Sequence, residues 1–163
     1  MTINVLFVCL GNICRSPAAQ GIFERLVSEK NLATSISVDS CGTAPFNVGK
    51  HPDPRSVAAS ARAGYDISQQ IARQIDDQDY STYNYIIAMD RANLTNVQAW
   101  APSDYQGEIN LLMHYSQRGG NRQIPDPYYD DEEQFDKVIV AIEKACRHLL
   151  SYIINKHELL HDK

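Results

Sequence analysis

The sequence lacks a hydrophobic run of membrane-spanning length, a tandem repeat and a low-complexity tract, which argues against a membrane, repeat or disordered protein. Its first residues, MTINVLFVC, lack the basic region and cleavage site of a signal peptide, so we interpret them as a first strand. Basic residues are also few: 15 Lys and Arg face 20 Asp and Glu, a net charge of −5. A nucleic-acid binder usually shows a basic face. We therefore expect a cytoplasmic protein that binds neither nucleic acid nor a membrane.

Cysteine is scarce, and its spacing is informative. The four cysteines, at positions 9, 14, 41 and 146, match neither a disulfide framework nor a zinc ribbon. In a reducing cytosol, closely spaced thiols are more often catalytic than structural. Two of the four fall within VCLGNICRSP at 8–17, which makes this segment the first candidate site.

The sequence predicts no metal and no cofactor, although HELLH at 157–161 matches a zinc-protease motif. Only Asp162 and Lys163 follow it, so no downstream third ligand is available, whereas a catalytic zinc usually has three protein ligands. We interpret HELLH as a chance match on a solvated tail.

Short apolar runs alternate with amphipathic stretches along the chain, which predicts one α/β domain spanning residues 1–163. Alternating strands and helices favour a parallel sheet covered on both faces, a three-layer α/β/α arrangement. Ser16 and Pro17 predict an N-cap and a first helical residue. Ligands of such sheets bind at the carboxyl ends of the strands, where the loop 117–131 should also open. The strands are expected at 3–9, 35–39, 85–89 and 109–113, and the later helices at 54–62, 91–100 and 132–156.

The turn between the first strand and the first helix has the composition of an anion site. Backbone N–H groups at a helix N-terminus attract anions. The turn lacks the Gly-Lys-Ser/Thr of a nucleotide P-loop and the three glycines of a dinucleotide fingerprint. Instead it supplies a thiol at Cys9 and a guanidinium at Arg15. The N–H groups and Arg15 should stabilise a thiolate, and Arg15 can clamp two oxygens of a tetrahedral oxyanion.

The segment CLGNICRS fits the C-x-x-x-x-x-R-S loop of protein tyrosine phosphatases, and its place near the N-terminus resembles the low-molecular-weight family. The further segments DSCGTAPFNVG, HPDPR, ARQ, MD and IPDPYY occur in that family's order. The resemblance implies a flavodoxin-like fold of the phosphotyrosine phosphatase I type, with a four-stranded parallel sheet. It also implies hydrolysis of phosphotyrosine in proteins, and of aryl phosphates, through a phosphocysteine intermediate.

The resemblance assigns roles to particular residues. Cys9 would be the nucleophile, Arg15 the phosphate clamp and Asp126 the general acid and base. Ser16 would hydrogen-bond the thiol, and Asn12 would hold a left-handed backbone conformation. The other residues implied in substrate binding are Leu10, Gly11, Ile13, Cys14, Phe46, Asn47, Tyr128 and Tyr129, of which Phe46 and the two tyrosines would wall a deep slot for a phenyl ring.

The same resemblance implies the partners. These are tyrosine-phosphorylated proteins, including a tyrosine kinase, with inorganic phosphate or other oxyanions as inhibitors. Two parts of the sequence depart from the family pattern. Phe46 stands where many relatives have Trp or Leu, and Gln69 and Gln70 stand where a histidine often supports the signature loop, so one of these glutamines is expected to replace it.

Two other functions use a similar loop. Arsenate reductases of this fold relay a disulfide through further cysteines near the third strand, and YIIAMDRANLTNV at 85–97 has none. A binding module without catalysis would not need Cys9, Arg15 and Asp126 together. Both alternatives are disfavoured.

Cys14 has two interpretations. It can simply fill space in a crowded turn. Alternatively, it can form a reversible disulfide with an oxidised Cys9 and so protect the nucleophile from irreversible oxidation. We favour protection, which makes Cys9 a redox-sensitive cysteine.

Overall fold

A four-stranded parallel sheet forms the centre of the computed structural model, which describes residues 2–116 and 122–159. Its strands are β1 (Ile3–Cys9), β2 (Ile36–Gly42), β3 (Tyr85–Ala88) and β4 (Glu108–Leu111), in the order β2-β1-β3-β4. The strands β1 and β3 are apolar and almost wholly buried, as expected of strands covered on both faces. The predicted parallel α/β fold is confirmed.

Helices cover both faces of this sheet. They are α1 (Arg15–Glu29), α2 (Pro54–Arg62), α3 (Asp79–Thr82), α4 (Arg91–Trp100) and α5 (Glu132–His157), with a 3₁₀ helix at Leu112–Tyr115. Val5 and Phe7 of β1 pack with apolar residues of α1 and α5. Leu6 and Val8 pack in a second cluster with Val97 of α4. Successive β1 side chains therefore enter opposite layers, as the period of a strand requires.

The register of β1 explains why the site forms at its carboxyl end. Val8 pairs with Cys41 of β2 on one side and Ala88 of β3 on the other. Cys9 is then level with Gly42, the last residue of β2. The signature loop thus follows the strand that lies between two neighbours, which hold its start from both sides.

The predicted cap of the first helix is wrong. Helix α1 begins at Arg15 with Cys14 as its N-cap residue, so Pro17 is the third helical residue. Ser16 cannot serve as the cap because its hydroxyl lies 3.0 Å from Cys9 Sγ and accepts a hydrogen bond from Asn12 Nδ2 at 2.8 Å. Ser16, which was predicted to cap the first helix, contacts the Cys9 thiol instead.

Other boundaries differ from the prediction by a few residues. Strand β2 was predicted to end at residue 39, but it continues to Gly42, where it pairs with Cys9 of β1. Strand β4 ends at Leu111, and the chain continues as the 3₁₀ helix. Helix α3 was not predicted because four residues are too few for a helical period. Of the predicted loop 117–131, residues 117–121 lie outside the described residues, as do Leu160 and His161 of HELLH. Within 2–116 and 122–159, no helix has the length and apolarity to cross a membrane and no cluster of His, Cys, Asp and Glu is suited to a metal.

Candidate active site

The thiol of Cys9 sits at the bottom of the loop, almost wholly buried. Ser16 approaches it twice: the Oγ atom lies 3.0 Å from Cys9 Sγ, and the backbone N–H donates to the same sulfur at 3.4 Å. Ser16 is the second residue of α1, so its N–H carries the positive end of the helix dipole. Both groups are within hydrogen-bonding distance of the sulfur.

Asn12 fixes the shape of the loop. Its φ of 56° lies in the left-handed region, as predicted, which asparagine tolerates better than most residues. The side-chain amide donates to Ser16 Oγ and to Ser40 Oγ at 3.0 Å, and its Oδ1 accepts from the Arg73 N–H at 3.0 Å. Groups from α1, β2 and the segment before α3 thus hold one buried side chain.

The backbone of the loop is oriented for an anion. The carbonyls of Cys9, Leu10 and Ile13 accept hydrogen bonds from the N–H groups of Thr43, Ala44 and Asp53 at 2.8–3.0 Å. The carbonyls of Gly11 and Cys14 accept from side chains. The N–H groups of residues 10–14, by contrast, have no acceptor among the described residues. Five N–H donors around one turn form a binding site for a tetrahedral oxyanion.

Gly42 allows this turn to lie against the end of β2. A Cβ atom at Gly42 would lie 2.7 Å from Leu10 O and 3.1 Å from the Asn12 nitrogen. Both are backbone atoms, which cannot yield without moving the loop. The glycine in the CGT segment is therefore required by close packing of two backbones.

Arg15 is buried, with only 2% of its side chain exposed, and it is surrounded by acceptors. Its Nη1 donates to Asp90 Oδ2 at 2.7 Å and to the Ile124 carbonyl at 3.0 Å, and its Nη2 lies 3.6 Å from Asp126 Oδ2. Burial opposes the charge of the guanidinium, but the negative charges of Cys9, Asp126 and Asp90 outweigh it and raise the pKa of Arg15. The site holds a permanent, oriented cation beside the thiol.

Asp90 was missed by the sequence reasoning. It follows β3 and serves as the N-cap of α4, with its Oδ1 accepting from the Asn93 N–H at 2.8 Å. Its other oxygen binds Arg15. Since parallel strands end at one edge of a sheet, an acidic N-cap after the strand beside β1 was the signal that could have found it.

Asp126 is presented by the segment before α5. Its carboxylate is partly exposed, and its Oδ1 accepts from the Tyr128 N–H at 3.2 Å. The carbonyl of Ile124 binds Arg15, and the Ile124 N–H donates to Met89 O at 2.9 Å. These two bonds anchor the segment at the carboxyl end of β3 and leave Asp126 facing the cation.

A cavity of about 280 Å³ opens above the thiol. The side chains of Asn12 and Ser16 do not line it; they are buried and support the loop. Phe46 and Tyr129 stand at the rim, and Tyr129 is 94% exposed. The aromatic side chains therefore frame an open mouth rather than a deep slot. The lining residues are Cys9, Leu10, Gly11, Ile13, Cys14, Arg15, Phe46, Asn47, Asp126, Tyr128 and Tyr129.

Arg55, from the HPDPR segment, holds Tyr128 in place. Its guanidinium lies 5.3 Å from the ring centre of Tyr128 and 4.7 Å from that of Phe135. Asp53 binds Arg55 through two side-chain hydrogen bonds of 3.0 and 2.8 Å. These bonds to Arg55 lower the pKa of Asp53. A planar cation between two rings can fix the orientation of one wall of the cavity.

Residues 4–159 match the model of the family described as low molecular weight phosphotyrosine protein phosphatase. The chain belongs to this family. Its human member is 38% identical over 151 residues, covering 91% of this chain and 94% of the human protein. The Bacillus subtilis member YfkJ is 36% identical over 157 residues, 96% of this chain and 99% of that protein. Its crystal structure superposes with a TM-score of 0.88 over 96% of this chain and 97% of that chain.

A Drosophila relative of the same fold is described as an arginine phosphatase. It is 32% identical, with a TM-score of 0.83 over 91% of this chain and 96% of its own. Membership of the phosphatase family confirms the predicted class of enzyme, a hydrolase. The arginine phosphatase shows that the substrate of each member has to be argued from its own cavity.

The glutamines that depart from the family pattern do not touch the signature loop directly. Gln70 Nε2 donates to the carbonyl of Pro17 in α1 at 3.0 Å, while Gln69 is exposed. Asn12 is held instead by the hydrogen bonds that its amide donates to Ser16 and Ser40 and by the one that its Oδ1 accepts from the Arg73 N–H. Gln70 thus braces the first helix behind the loop.

Proposed function

We propose that this protein hydrolyses phosphotyrosine in proteins, in the cytoplasm, through a phosphocysteine intermediate. The observation that carries the proposal is the convergence of Cys9, Arg15 and Asp126 on one cavity, above a turn with five N–H donors. These are a nucleophile, a fixed cation and a proton donor, the three groups that transfer of a phosphoryl group to sulfur requires.

In the first step the Cys9 thiolate attacks phosphorus, the S–P bond forms and the P–O bond to the phenol breaks. Asp126, in its protonated form, gives its proton to the departing phenolate oxygen. The loop N–H groups and Arg15 bind the phosphoryl oxygens, whose charge is spread as they become equatorial in the transition state.

In the second step a water molecule attacks the phosphocysteine. The Asp126 carboxylate takes a proton from the water, and the S–P bond breaks to release inorganic phosphate. The Ser16 hydroxyl, 3.0 Å from Cys9 Sγ, stabilises the departing thiolate. Asp90 acts as a positioning residue in both steps, because it holds Arg15 through Nη1 and leaves Nη2 toward the cavity.

The aromatic rim supports phosphotyrosine as the substrate. Phe46, Tyr128 and Tyr129 line the cavity together with the apolar residues Leu10 and Ile13. A phenyl ring can stack on such side chains, whereas phosphoserine brings no ring and phosphoarginine brings a second guanidinium close to Arg15. Tyrosine-phosphorylated proteins, including tyrosine kinases, are the proposed partners, and inorganic phosphate and other oxyanions the proposed inhibitors.

The test is a comparison of kcat/KM for peptides of one sequence carrying phosphotyrosine, phosphoserine or phosphoarginine. We expect phosphotyrosine to be preferred over each of the others by at least about 100-fold, the scale on which a fitted pocket discriminates between substrates. A preference for phosphoarginine would contradict the proposed substrate. Arsenate reduction coupled to thioredoxin, measured in parallel, should be absent, because Cys41 and Cys146 lie buried away from the cavity lining.

The redox role of Cys14 is a further part of the proposal. Cys9 and Cys14 both line the cavity and both are free thiols. Burial, then the charges of Asp53, Cys9 and Asp126, raise the pKa of Cys14. Peroxide would convert the Cys9 thiolate to a sulfenic acid, and attack by the Cys14 thiolate would form the disulfide and release hydroxide. Because a raised pKa keeps Cys14 protonated, closure should be slow at neutral pH.

We therefore expect closure of the Cys9–Cys14 disulfide to accelerate about tenfold per pH unit between pH 6 and 8, since the thiolate fraction of Cys14 rises with pH below its pKa. The measurement is a brief peroxide pulse followed by dithiothreitol, with peptide mapping at each pH. The wild type should recover activity, whereas Cys14→Ser should not, because Cys9 proceeds to sulfinic acid. Full recovery of Cys14→Ser would reduce Cys14 to a packing role.

A further inference from the structure

A second cavity, of about 640 Å³, lies beside α5 and shares none of its lining residues with the active-site cavity. Among the described residues, its lining includes four basic side chains and a histidine, and no carboxylate. This concentration of positive charge is notable in a chain with a net charge of −5. The five side chains are Arg122, Lys137, Lys144, Arg147 and His148.

Only part of this charge is neutralised. Lys137 lies 3.8 Å from Glu133, and Arg147 lies 3.4 Å from Glu143, both within α5. Neither glutamate lines the cavity. Arg122 and Lys144 have no ion pair with any residue in the ranges 2–116 and 122–159. Two cations therefore face the cavity without a compensating charge.

The positions on α5 make this arrangement unfavourable when the cavity is empty. Lys144 precedes Arg147 by three residues, a spacing at which side chains on a helix are neighbours. Like charges at that spacing destabilise a helix. A bound anion would remove this repulsion, so the helix itself favours an anionic ligand.

The size and the apolar wall define the ligand further. A volume of about 640 Å³ is in the range of sites for organic small molecules and exceeds what one phosphate ion fills. Met113, Val140 and Ala145 contribute apolar surface, and Val140 is largely exposed. The wall can therefore receive a ring or a carbon chain beside the cations.

We propose that this cavity binds an organic polyphosphate, a ring or chain that carries two or more linked phosphate groups. The guanidinium of Arg122 can bind two phosphate oxygens at once, and Lys144 supplies a point charge beside it. The organic part lies against Val140 and Met113.

The test is isothermal titration calorimetry of the full chain with ATP, tripolyphosphate and adenosine. Saturating benzylphosphonate occupies the active-site cradle, so that the titrated phosphates report the second cavity. We expect ATP to bind more tightly than tripolyphosphate, and adenosine not to bind. Lys144→Glu should weaken ATP binding at least about tenfold, the usual scale for losing a charged contact. The matched control is Lys30→Glu, an exposed residue outside the cavity with the same change in net charge, which should bind ATP within about twofold of wild type.

The calorimetric titration measures binding and does not require catalysis, so its outcome is independent of the proposed phosphatase activity. The proposal is overturned if the wild type binds neither phosphate compound, or if Lys144→Glu binds ATP as tightly as the wild type. An equal loss in Lys30→Glu overturns it as well, because net charge alone would then explain the binding. Equal affinity for tripolyphosphate and ATP would show that the organic part of ATP does not contribute to binding, and it would contradict the proposal of an organic ligand. Binding to anionic lipid vesicles without binding of ATP would assign the cavity to a membrane surface and overturn the proposal too.

Discussion

Cys9→Ser is expected to abolish turnover of aryl phosphates while leaving the affinity for phosphate or vanadate largely intact. A serine hydroxyl is not ionised at neutral pH and cannot replace a thiolate that Ser16 and the helix dipole stabilise. The loss of kcat should be on the order of 10⁴-fold or more, as when an essential nucleophile is removed. Steady-state kinetics with p-nitrophenyl phosphate and a binding titration with vanadate check the two halves of the expectation.

The binding half of this result depends on groups that the substitution leaves in place. The loop N–H groups and Arg15 are untouched, and Arg15 remains held by Asp90 and Ile124. The control is Cys146→Ser, the same change at a buried cysteine of α5 outside the cavity lining, which should keep near wild-type kcat once folded. Substantial turnover by Cys9→Ser would remove Cys9 from its role. The same inactive variant should retain phosphoproteins from a lysate and so point to substrates.

Asp126→Asn is expected to lower kcat far more for substrates with poor leaving groups than for substrates with good ones. Its carboxylate lies 3.6 Å from Arg15 and faces the cavity, so it is placed to protonate the departing phenolate. Phenyl phosphate needs that proton, whereas p-nitrophenolate leaves readily without it. With phenyl phosphate the loss of kcat should be about 10²–10⁴-fold, the usual contribution of a general acid.

A leaving-group series with Asp126→Asn measures this dependence directly. Asp130→Asn is the matched control: the residue is exposed, lies in the same segment and does not line the cavity, so its kinetics should follow the wild type. If Asp126→Asn loses the same factor with every leaving group, its role is to hold the segment through the Tyr128 N–H rather than to transfer a proton.

Much of the fold and the site could be predicted because the signals were local. The apolar runs that became β1 and β3 have a strand's length and are followed by helical periods. Cys9 and Arg15 are six residues apart on one turn, so their proximity needs no tertiary information. The further motifs, in the order typical of the family, then assigned Phe46 and Asp126 to the site, and both line the cavity.

The predictions that were wrong or missing concern side chains whose hydrogen-bond partners lie far away in the sequence. The sequence predicted Ser16 as a helix cap, but its hydroxyl forms hydrogen bonds with the Cys9 sulfur and the Asn12 amide. Asp90 binds Arg15 from the N-cap of α4, and only the parallel order of the strands brings the two residues together. The cavity lined by basic residues beside α5 could not be predicted for the same reason. Lys137 and Lys144 share a face of α5, but Arg122 joins them only through the fold.

The hydrogen bonds that hold the loop also determine when activity can appear during folding. Asn12 depends on Ser40 and Arg73, while Arg15 depends on Asp90 and Ile124, so partners come from most of the length of the chain. Parallel strand pairs of this kind close long loops and form slowly. Recovered activity in a refolding or translation experiment therefore reports the last stage of assembly, after β1 has both of its neighbours. A chain halted before Ile124 would have a sequence-complete signature loop, but its Arg15 would lack the Ile124 carbonyl and the Asp126 carboxylate.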